Sequence, residues 1–376
     1  MRLALASGRR GLGITHPNPS VGAVVFRGDR VLGRGHTRPP GGPHAEVVAL
    51  RAATRRHGAA AVRGASMAVT LEPCCFTGRT PPCTEAILDA GIARVAVGMR
   101  DPHPRVKGRG SRRLEAAGVR VVRDVLEAEC RELHRGFSSL CERGRPFVTL
   151  KLATSLDGRI ATASGESRWI TGAEARLFVH RLRARVDAVM VGSGTALADD
   201  PDLSARHGDR VLRRPDRVLV DSRLRVPASA RLHMGHAGAR TLVLASARAR
   251  GRKAIEASGS ELVEVPGRTG ALDLERGLEL LGEAGLTTVL VEGGGGLAAA
   301  LLRAGLVDEL HWIIAPKLLG GDAAPALGPL ELAKLSDAPE LEVLRTRRLG
   351  RDTHVHARPV AVAVERARRR PSRGSQ

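Results

Sequence analysis

One histidine, one glutamate and two cysteines set the chemistry that this chain could do. His44 and Glu46 open the stretch "PHAEVV" (43–48), directly after the glycine- and proline-rich "RPPGG". Cys74 follows "TLEP", and Cys83 follows "GRTPP" nine residues later. His44, Cys74 and Cys83 are each expected at a helix N-terminus, where the helix dipole favours the thiolate that a metal requires. Three nitrogen and sulfur ligands would leave one position of a tetrahedral zinc open, as in a catalytic site; a structural site would be closed by a fourth ligand. Glu46, two residues from His44, would lie near the metal rather than on it. A carboxylate there can take a proton from an activated water and deliver it to a leaving amine. A lone cysteine is more often a small core residue than a ligand, and Cys130 and Cys141 are read that way. Cys75, next to Cys74, should point its side chain elsewhere.

These residues need elements to carry them, and strand-like and helix-like segments alternate around them. "VGAVVF" (21–26) reads as a buried strand, 44–58 as an amphipathic helix ending in glycine, and "SMAVTLEP" (66–73) as a strand stopped by proline. "TEAILDAGI" reads as a helix and "ARVAVGM" as the next strand. Such alternation predicts an α/β domain with helices packed on a sheet. A charged helical segment (124–144) ends in "GRP", so the first domain is expected to span 1–144. A second α/β domain, 146–360, opens with "FVTLKLATSLDGRIA" and has further strands in "DAVMVG", "DRVLVDS", "RTLVLAS", "TTVLVEGG" and "DELHWIIAP". The basic tail, 361–376, shows no apolar periodicity and is expected to be disordered.

Composition narrows the function classes. A chain of 376 residues is too long for one core of usual size. No apolar run reaches the roughly 18 residues of a membrane helix, and the N-terminus has no signal-peptide pattern. A cytoplasmic protein is expected, in which a cysteine cluster means metal or catalysis rather than disulfide. The net charge of +21 invites a nucleic-acid partner. However, 55 of the 60 basic residues are Arg and Asn occurs once, a bias that GC-rich coding explains. No nucleic-acid or membrane partner is expected.

His-x-Glu followed by Pro-Cys is the pattern of zinc deaminases. "THPNPSVGAVV" (15–25), "PHAEVVAL", "TLEPC…GRTPPC" and "GRG" (108–110) make the resemblance more specific. They resemble the deaminase domain of the bacterial riboflavin-biosynthesis bifunctional deaminase/reductases. Other cytidine-deaminase-like proteins mostly carry Pro-Cys-x-x-Cys, whereas position 77 here is Thr. The resemblance covers about residues 1–358. It implies an N-terminal cytidine-deaminase-like three-layer domain followed by a dihydrofolate-reductase-like α/β domain that uses NADPH. It also implies a small phosphoribosyl pyrimidine as substrate and a homo-oligomer, and it sets Asn18 against the pyrimidine. The residues alone leave an Asx-turn role open for Asn18.

In the second half, "VEGGGGLAAALLRAG" (291–305) reads as a strand, four glycines and a helix, an arrangement that lets backbone approach an anion at a helix N-terminus. Residues 294–299 fit G-x-G-x-x-A, but late in the chain and without the acidic residue that the Rossmann pattern needs. A glycine loop on a different sheet is the better reading. The resemblance implies that the cofactor meets Ala153, Trp169, Thr195, Asp199, Ser222 and the segment Gly294, Gly295, Gly296, Leu297, Ala298, Ala299, Ala300. The substrate would meet Ser167, Arg183, Leu203, Arg206 and Glu292, with Lys151 beside the reacting ribose. Arg183 and Arg206 suit a phosphate; for Trp169 a packing role stays open.

The implied reactions are zinc-dependent hydrolytic deamination of 2,5-diamino-6-(5-phosphoribosylamino)pyrimidin-4-one, then NADPH-dependent reduction to 5-amino-6-(5-phosphoribitylamino)uracil. A tRNA-adenosine-type base deaminase would leave the second domain unexplained, and the chain lacks aromatic residues for stacking flipped bases. A structural zinc module would leave Glu46 unexplained. A family member with one inactive domain stays open. Phe76 stands where the family commonly has His, and His103, in "DPHP", stands where it commonly has Asn.

Overall fold

Apolar runs in the sequence become the central strands of two sheets in the computed structural model of the chain. It describes residues 1–78, 80–235, 238–268 and 271–360; the tail expected to be disordered lies outside them. The chain divides into two compact units. One comprises Met1–Pro146 and Gly285–Thr287, and the other comprises the remaining described residues.

In the first unit, β1 (Gly22–Arg27) and β2 (Arg30–His36) form an antiparallel hairpin. β3 (Ser66–Val69) runs antiparallel to β1, and β4 (Arg94–Val97) and β5 (Arg120–Val122) continue in parallel, giving the order β2-β1-β3-β4-β5. The helices are α1 (Arg2–Gly8), α2 (Ala45–His57), α3 (Ala59–Val62), α4 (Cys83–Asp89), α5 (Arg109–Ala116), α6 (Glu127–Leu133) and α7 (Arg135–Arg143). Strand residues alternate between two apolar layers, as the two-residue period of a strand requires. Ala23, Val25, Met67, Val69, Val95 and Val97 join one core with Ala49 and Leu50 of α2 and Ile87 of α4. Val24 and Ala68 join the other with Ala4 of α1. The charged segment 124–144, expected as one helical stretch, is two helices that break at His134.

The second unit holds nine strands in one sheet. In chain order its elements are β6 (Phe147–Thr154), β7 (Arg159–Ala161), α8 (Ala173–Arg183), β8 (Ala188–Gly192), α9 (Ser193–Asp199), β9 (Ala205–His207), β10 (Arg210–Arg213), β11 (Asp216–Val220), β12 (Thr241–Ala245), α10 (Arg252–Ala257), β13 (Glu261–Glu264), β14 (Gly267–Arg268), β15 (Ala271–Leu272), α11 (Leu274–Glu283), β16 (Thr288–Glu292), α12 (Gly295–Arg303), β17 (Glu309–Ile314), β18 (Ala324–Pro325), β19 (Leu341–Leu349) and β20 (Asp352–Pro359). The large sheet has the order β13-β12-β11-β8-β16-β6-β17-β20-β19. Its first seven strands are parallel; β20 and β19 add an antiparallel edge. Parallel strands covered on both faces read as unbroken apolar runs. "AVMVG", "TLVLA" and "TVLVE" are such runs, and Val189, Val191, Leu219, Val243 and Leu290 share one core. Short βα connections follow the carboxyl ends of β8 and β16, leading into α9 and α12.

Candidate functional site

His44 is the N-cap of α2, which sets Glu46 in its first turn. Cys83 is the first residue of α4. Nδ1 of His44 lies 3.2 Å from Sγ of Cys83 and 3.6 Å from Sγ of Cys74. One donor atom from each of the three falls within 4.8 Å of the others. The expectation that Cys74 also begins a helical turn does not hold: it lies in an irregular segment after β3. Glu72 keeps that segment extended by donating its amide to Met99 O at 3.0 Å, and Cys74 O accepts from Thr84 N at 3.1 Å. A helix terminus still reaches the thiol, because the Cys83 amide at the start of α4 donates to Cys74 Sγ at 3.3 Å.

The local electrostatics follow from these contacts. The hydrogen bond from Cys83, helped by His44 and opposed by burial, pulls the Cys74 thiol down to about 4. The same shared proton and burial drive the Cys83 thiol well above its usual range. His44 is raised, chiefly by its hydrogen bond with Cys74. Burial pushes the Glu46 carboxyl up to about 7. Glu46 is 3% exposed, and its Oε2 has no hydrogen-bond partner among the described residues. Thr80 Oγ1 lies 3.3 Å from His44 Nε2. An Nε2–H donated there leaves Nδ1 bare on the cysteine side, the tautomer that a metal ligand needs. The donor set, one imidazole nitrogen and two sulfurs beside an uncommitted buried carboxylate oxygen, fits zinc.

One buried residue that sequence reasoning passed over holds the site's frame. The Glu72 carboxylate accepts three amides: Asp101 N at 3.2 Å, Gly108 N at 2.8 Å and Ser111 N at 2.9 Å. Gly110 lies so close that a Cβ there would sit 2.0 Å from Pro73 O. These contacts fix the Glu72–Cys74 segment against α5. An acidic residue just before Pro-Cys, at the end of a buried strand, was the available signal. Asn18 N donates to Thr15 O at 2.9 Å, while its partly buried carboxamide has no hydrogen bond among the described residues, so an Asx turn is not formed.

In the second unit, Lys151 of β6 and Glu292 of β16 are register partners. Arg183 Nε and Nη2 clamp Glu292 at 2.5 and 3.0 Å, and Lys151 Nζ lies 3.9 Å from Oε2. Burial alone would raise the Glu292 carboxyl, but Arg183 and Lys151 more than offset it and hold it below its ordinary value. Burial lowers the Lys151 ammonium. Arg206 is bound to Asp202 and to Ser204 Oγ. Both arginines expected to face a phosphate are thus engaged by carboxylates. Gly293 and Gly294 have φ of +79° and +83°, and a Cβ at Gly293 would meet Thr195 Oγ1 at 3.0 Å, so Thr195 packs on the glycine turn. Gly296 is open, whereas Ala298 and Ala299 are buried in α12. Asp199 O accepts from Arg168 at 3.0 Å, which draws the Ser167–Trp169 stretch toward α9. Trp169 is 62% exposed under Arg176. Ala153 and Ser222 are partly buried, at the ends of β6 and β11. The Leu203 side chain is committed to the core, which leaves its main chain for any ligand.

A zinc-type cluster on a mixed sheet and a glycine turn on a parallel sheet are here joined in one chain, and comparison with known proteins shows where that combination occurs. A family model described as the RibD C-terminal domain matches residues 146–355, and one for the cytidine and deoxycytidylate deaminase zinc-binding region matches residues 1–99. The riboflavin biosynthesis protein RibD of Escherichia coli is 41% identical over 95% of this chain and 97% of its own. The chain belongs to the RibD family. The RibD of Bacillus amyloliquefaciens is 38% identical over 96% of this chain and 95% of its own. The solved Acinetobacter baumannii RibD superposes with a TM-score of 0.84 at 35% identity, covering 96% of this chain and 97% of that one. The Thermotoga maritima diaminohydroxyphosphoribosylaminopyrimidine deaminase/5-amino-6-(5-phosphoribosylamino)uracil reductase gives the same score at 34% identity, with the same coverage. As a RibD, this protein is a bifunctional deaminase and reductase of riboflavin biosynthesis, which acts on a small molecule with zinc and a nicotinamide cofactor. No helix among the described residues is long and apolar enough to cross a membrane.

Phe76 and His103, singled out in the sequence, meet in space. The Phe76 and His103 rings stack with centroids 6.0 Å apart, and the Arg105 guanidinium sits 3.9 Å over Phe76. A second metal-like group, Glu309, His311 and His356, reads differently. Arg347 Nε donates to His354 Nδ1, so a neutral His354 donates Nε2–H to His311 Nδ1, and His311 then donates toward Glu309. His356 Nε2 lies 2.7 Å and an Arg358 guanidinium nitrogen 3.7 Å from the same carboxylate, so His311, His356 and Arg358 converge on Glu309. It is a hydrogen-bond network around a buried anion, and it offers no bare imidazole nitrogen from His311.

Proposed function

We propose that the first unit deaminates 2,5-diamino-6-(5-phosphoribosylamino)pyrimidin-4-one. The second unit would reduce the ribosyl group of the product with NADPH, giving 5-amino-6-(5-phosphoribitylamino)uracil. One observation carries the reading: His44, Cys74 and Cys83 converge near the buried Glu46, whose Oε2 has no hydrogen-bond partner among the described residues. The Thermotoga maritima relative is named for the same pair of activities, a deaminase and a reductase.

His44, Cys74 and Cys83 would hold a zinc ion, which would supply Lewis-acid activation of a water molecule at neutral pH. Glu46 would take the proton released and pass it to the departing ammonia, a role for which a buried carboxylate two residues from His44 is placed. Asn18, with its free carboxamide, orients the pyrimidine. In the second unit, NADPH supplies the reducing equivalent. Ala153, Trp169, Thr195, Asp199, Ser222 and residues 294–300 hold the cofactor, chiefly through main chain where Ala298 and Ala299 are buried. Ser167, Lys151, Arg206, Glu292 and the main chain of Leu203 hold the substrate, and Arg183 fixes Glu292. The reading places the enzyme in the cytosol, where its thiols stay reduced, as a homo-oligomer.

The test is Glu46→Gln, with ammonia release and NADPH oxidation followed separately. Zinc content and reduction of the deaminated substrate should be unchanged, while deamination falls by about a hundredfold or more. Deamination at the normal rate would remove Glu46 from the mechanism.

A further inference from the structure

Between Asp29 and Glu72 the chain has a single acidic residue, Glu46, and it is buried at the zinc site. The same stretch carries seven arginines. Two glycines gather them. A Cβ at Gly33 would lie 2.3 Å from Ala49 O, and one at Gly35 would lie 2.3 Å from Ala45 O. Only glycine lets α2 press this close to β2. The approach brings the outward row Arg34 and Arg38, at and just beyond β2, beside the row Arg51 and Arg55 on one face of α2. Arg56 lines the same cleft farther along the helix, and Arg10 lines its other end beside His36. The cleft comprises adjoining parts of about 650, 320 and 200 Å³, and Arg34 borders all three.

All six arginines are exposed, and none of their guanidiniums has a carboxylate partner among the described residues. Coding bias explains why arginine is abundant, but it does not explain this sorting. Elsewhere in the same unit Arg113, Arg123, Arg131 and Arg135 pair with Glu85, Glu115, Glu127 and Glu132. His36 feels the resulting field: burial first, then Arg38 and Arg10, lower its pKa.

We propose that this cleft is an anion-binding site, distinct from the zinc centre, that takes an oligophosphate of two or more linked phosphoryl groups. Guanidinium forks match phosphate oxygens, and two rows of them suit a chain of phosphates better than one monoester. The lining contains no phenylalanine or tryptophan, so a nucleobase gains no stacking platform. The phosphates, not a base or a nucleic-acid strand, are the recognised part.

Calorimetry with inorganic tripolyphosphate on the full-length, zinc-loaded protein at physiological salt tests this. One site per chain is expected, with orthophosphate binding far more weakly. Arg34→Ala/Arg55→Ala should weaken tripolyphosphate by about tenfold or more, the scale of one lost charge-assisted contact. Arg113→Ala/Arg131→Ala, which removes paired arginines, should not. Should the first double variant misfold, Arg38→Gln/Arg51→Gln carries the same expectation. Absence of saturable binding would overturn the proposal, and so would equal weakening by the Arg113/Arg131 control. Binding of single-stranded RNA that tripolyphosphate fails to displace would assign the surface to nucleic acid and overturn it equally.

Discussion

Glu72→Ala isolates the residue that holds the zinc loop without touching the metal. Its carboxylate is 3% exposed and accepts amides at 2.8, 2.9 and 3.2 Å from a single loop-and-helix segment. Each charge-assisted bond contributes about 1.5–3 kcal/mol. Water can reach part of the 101–108 loop once it loosens, so the low end applies and the total loss is about 3–5 kcal/mol. That is a large share of the roughly 5–15 kcal/mol that holds a domain folded. At about 2–4 °C per kcal/mol, the melting transition of the first unit should fall by about 6–20 °C. Glu72→Gln should cost about half as much, because its carbonyl oxygen still accepts while its NH2 group opposes an amide N–H. Thermal unfolding, with zinc retention measured against a competing chelator, gives both readouts. Reduction of the deaminated substrate should persist at temperatures where the second unit is folded. A Glu72→Ala protein with wild-type melting and wild-type zinc retention would refute the argument.

Gly110→Ala should weaken zinc retention without removing any ligand, because its Cβ would be driven into Pro73 O; unchanged retention in chelator competition would show that α5 simply shifts away. Arg183→Ala leaves the buried Glu292 with only the more distant Lys151, so the second unit should lose about 3–5 kcal/mol and its reductase activity, with deamination intact; denaturant unfolding and the two separate assays decide. His134, which burial lowers to about 3, is neutral in the fold and has an ordinary value of 6.5 when unfolded. Its contribution is complete above pH 6.5 and is lost as pH falls from there toward 3, when the unfolded chain takes up the proton, by up to about 4–5 kcal/mol. The acid limb of stability should flatten in His134→Gln, and superimposable limbs would sink the idea.

The legible parts of this molecule are those whose causes are local. The convergence of His44, Cys74 and Cys83 was readable because His-x-Glu with Pro-Cys and a third cysteine is a restrictive combination, and the parallel strands because double burial demands unbroken apolar runs. β2, "RVLGRGH", was missed because two of its positions are glycines kept for the approach of α2 rather than for strand propensity. β19, "LEVLRTRRL", was missed because an exposed edge strand carries no apolar face to read. The Cys74 segment was misplaced for a related reason: the bond from Glu72 N to Met99 O that keeps it extended joins residues 27 apart. Arg183 read as a free phosphate partner because nothing near it in the chain announces Glu292, 109 residues on. Phe76 and His103 show the same limit at the deaminase site. Read separately, each is an unexplained departure from the RibD pattern. In the fold they stack on one another, with Arg105 over the Phe76 ring. That stacking contact joins residues 27 apart in the chain, so no local pattern could have revealed it.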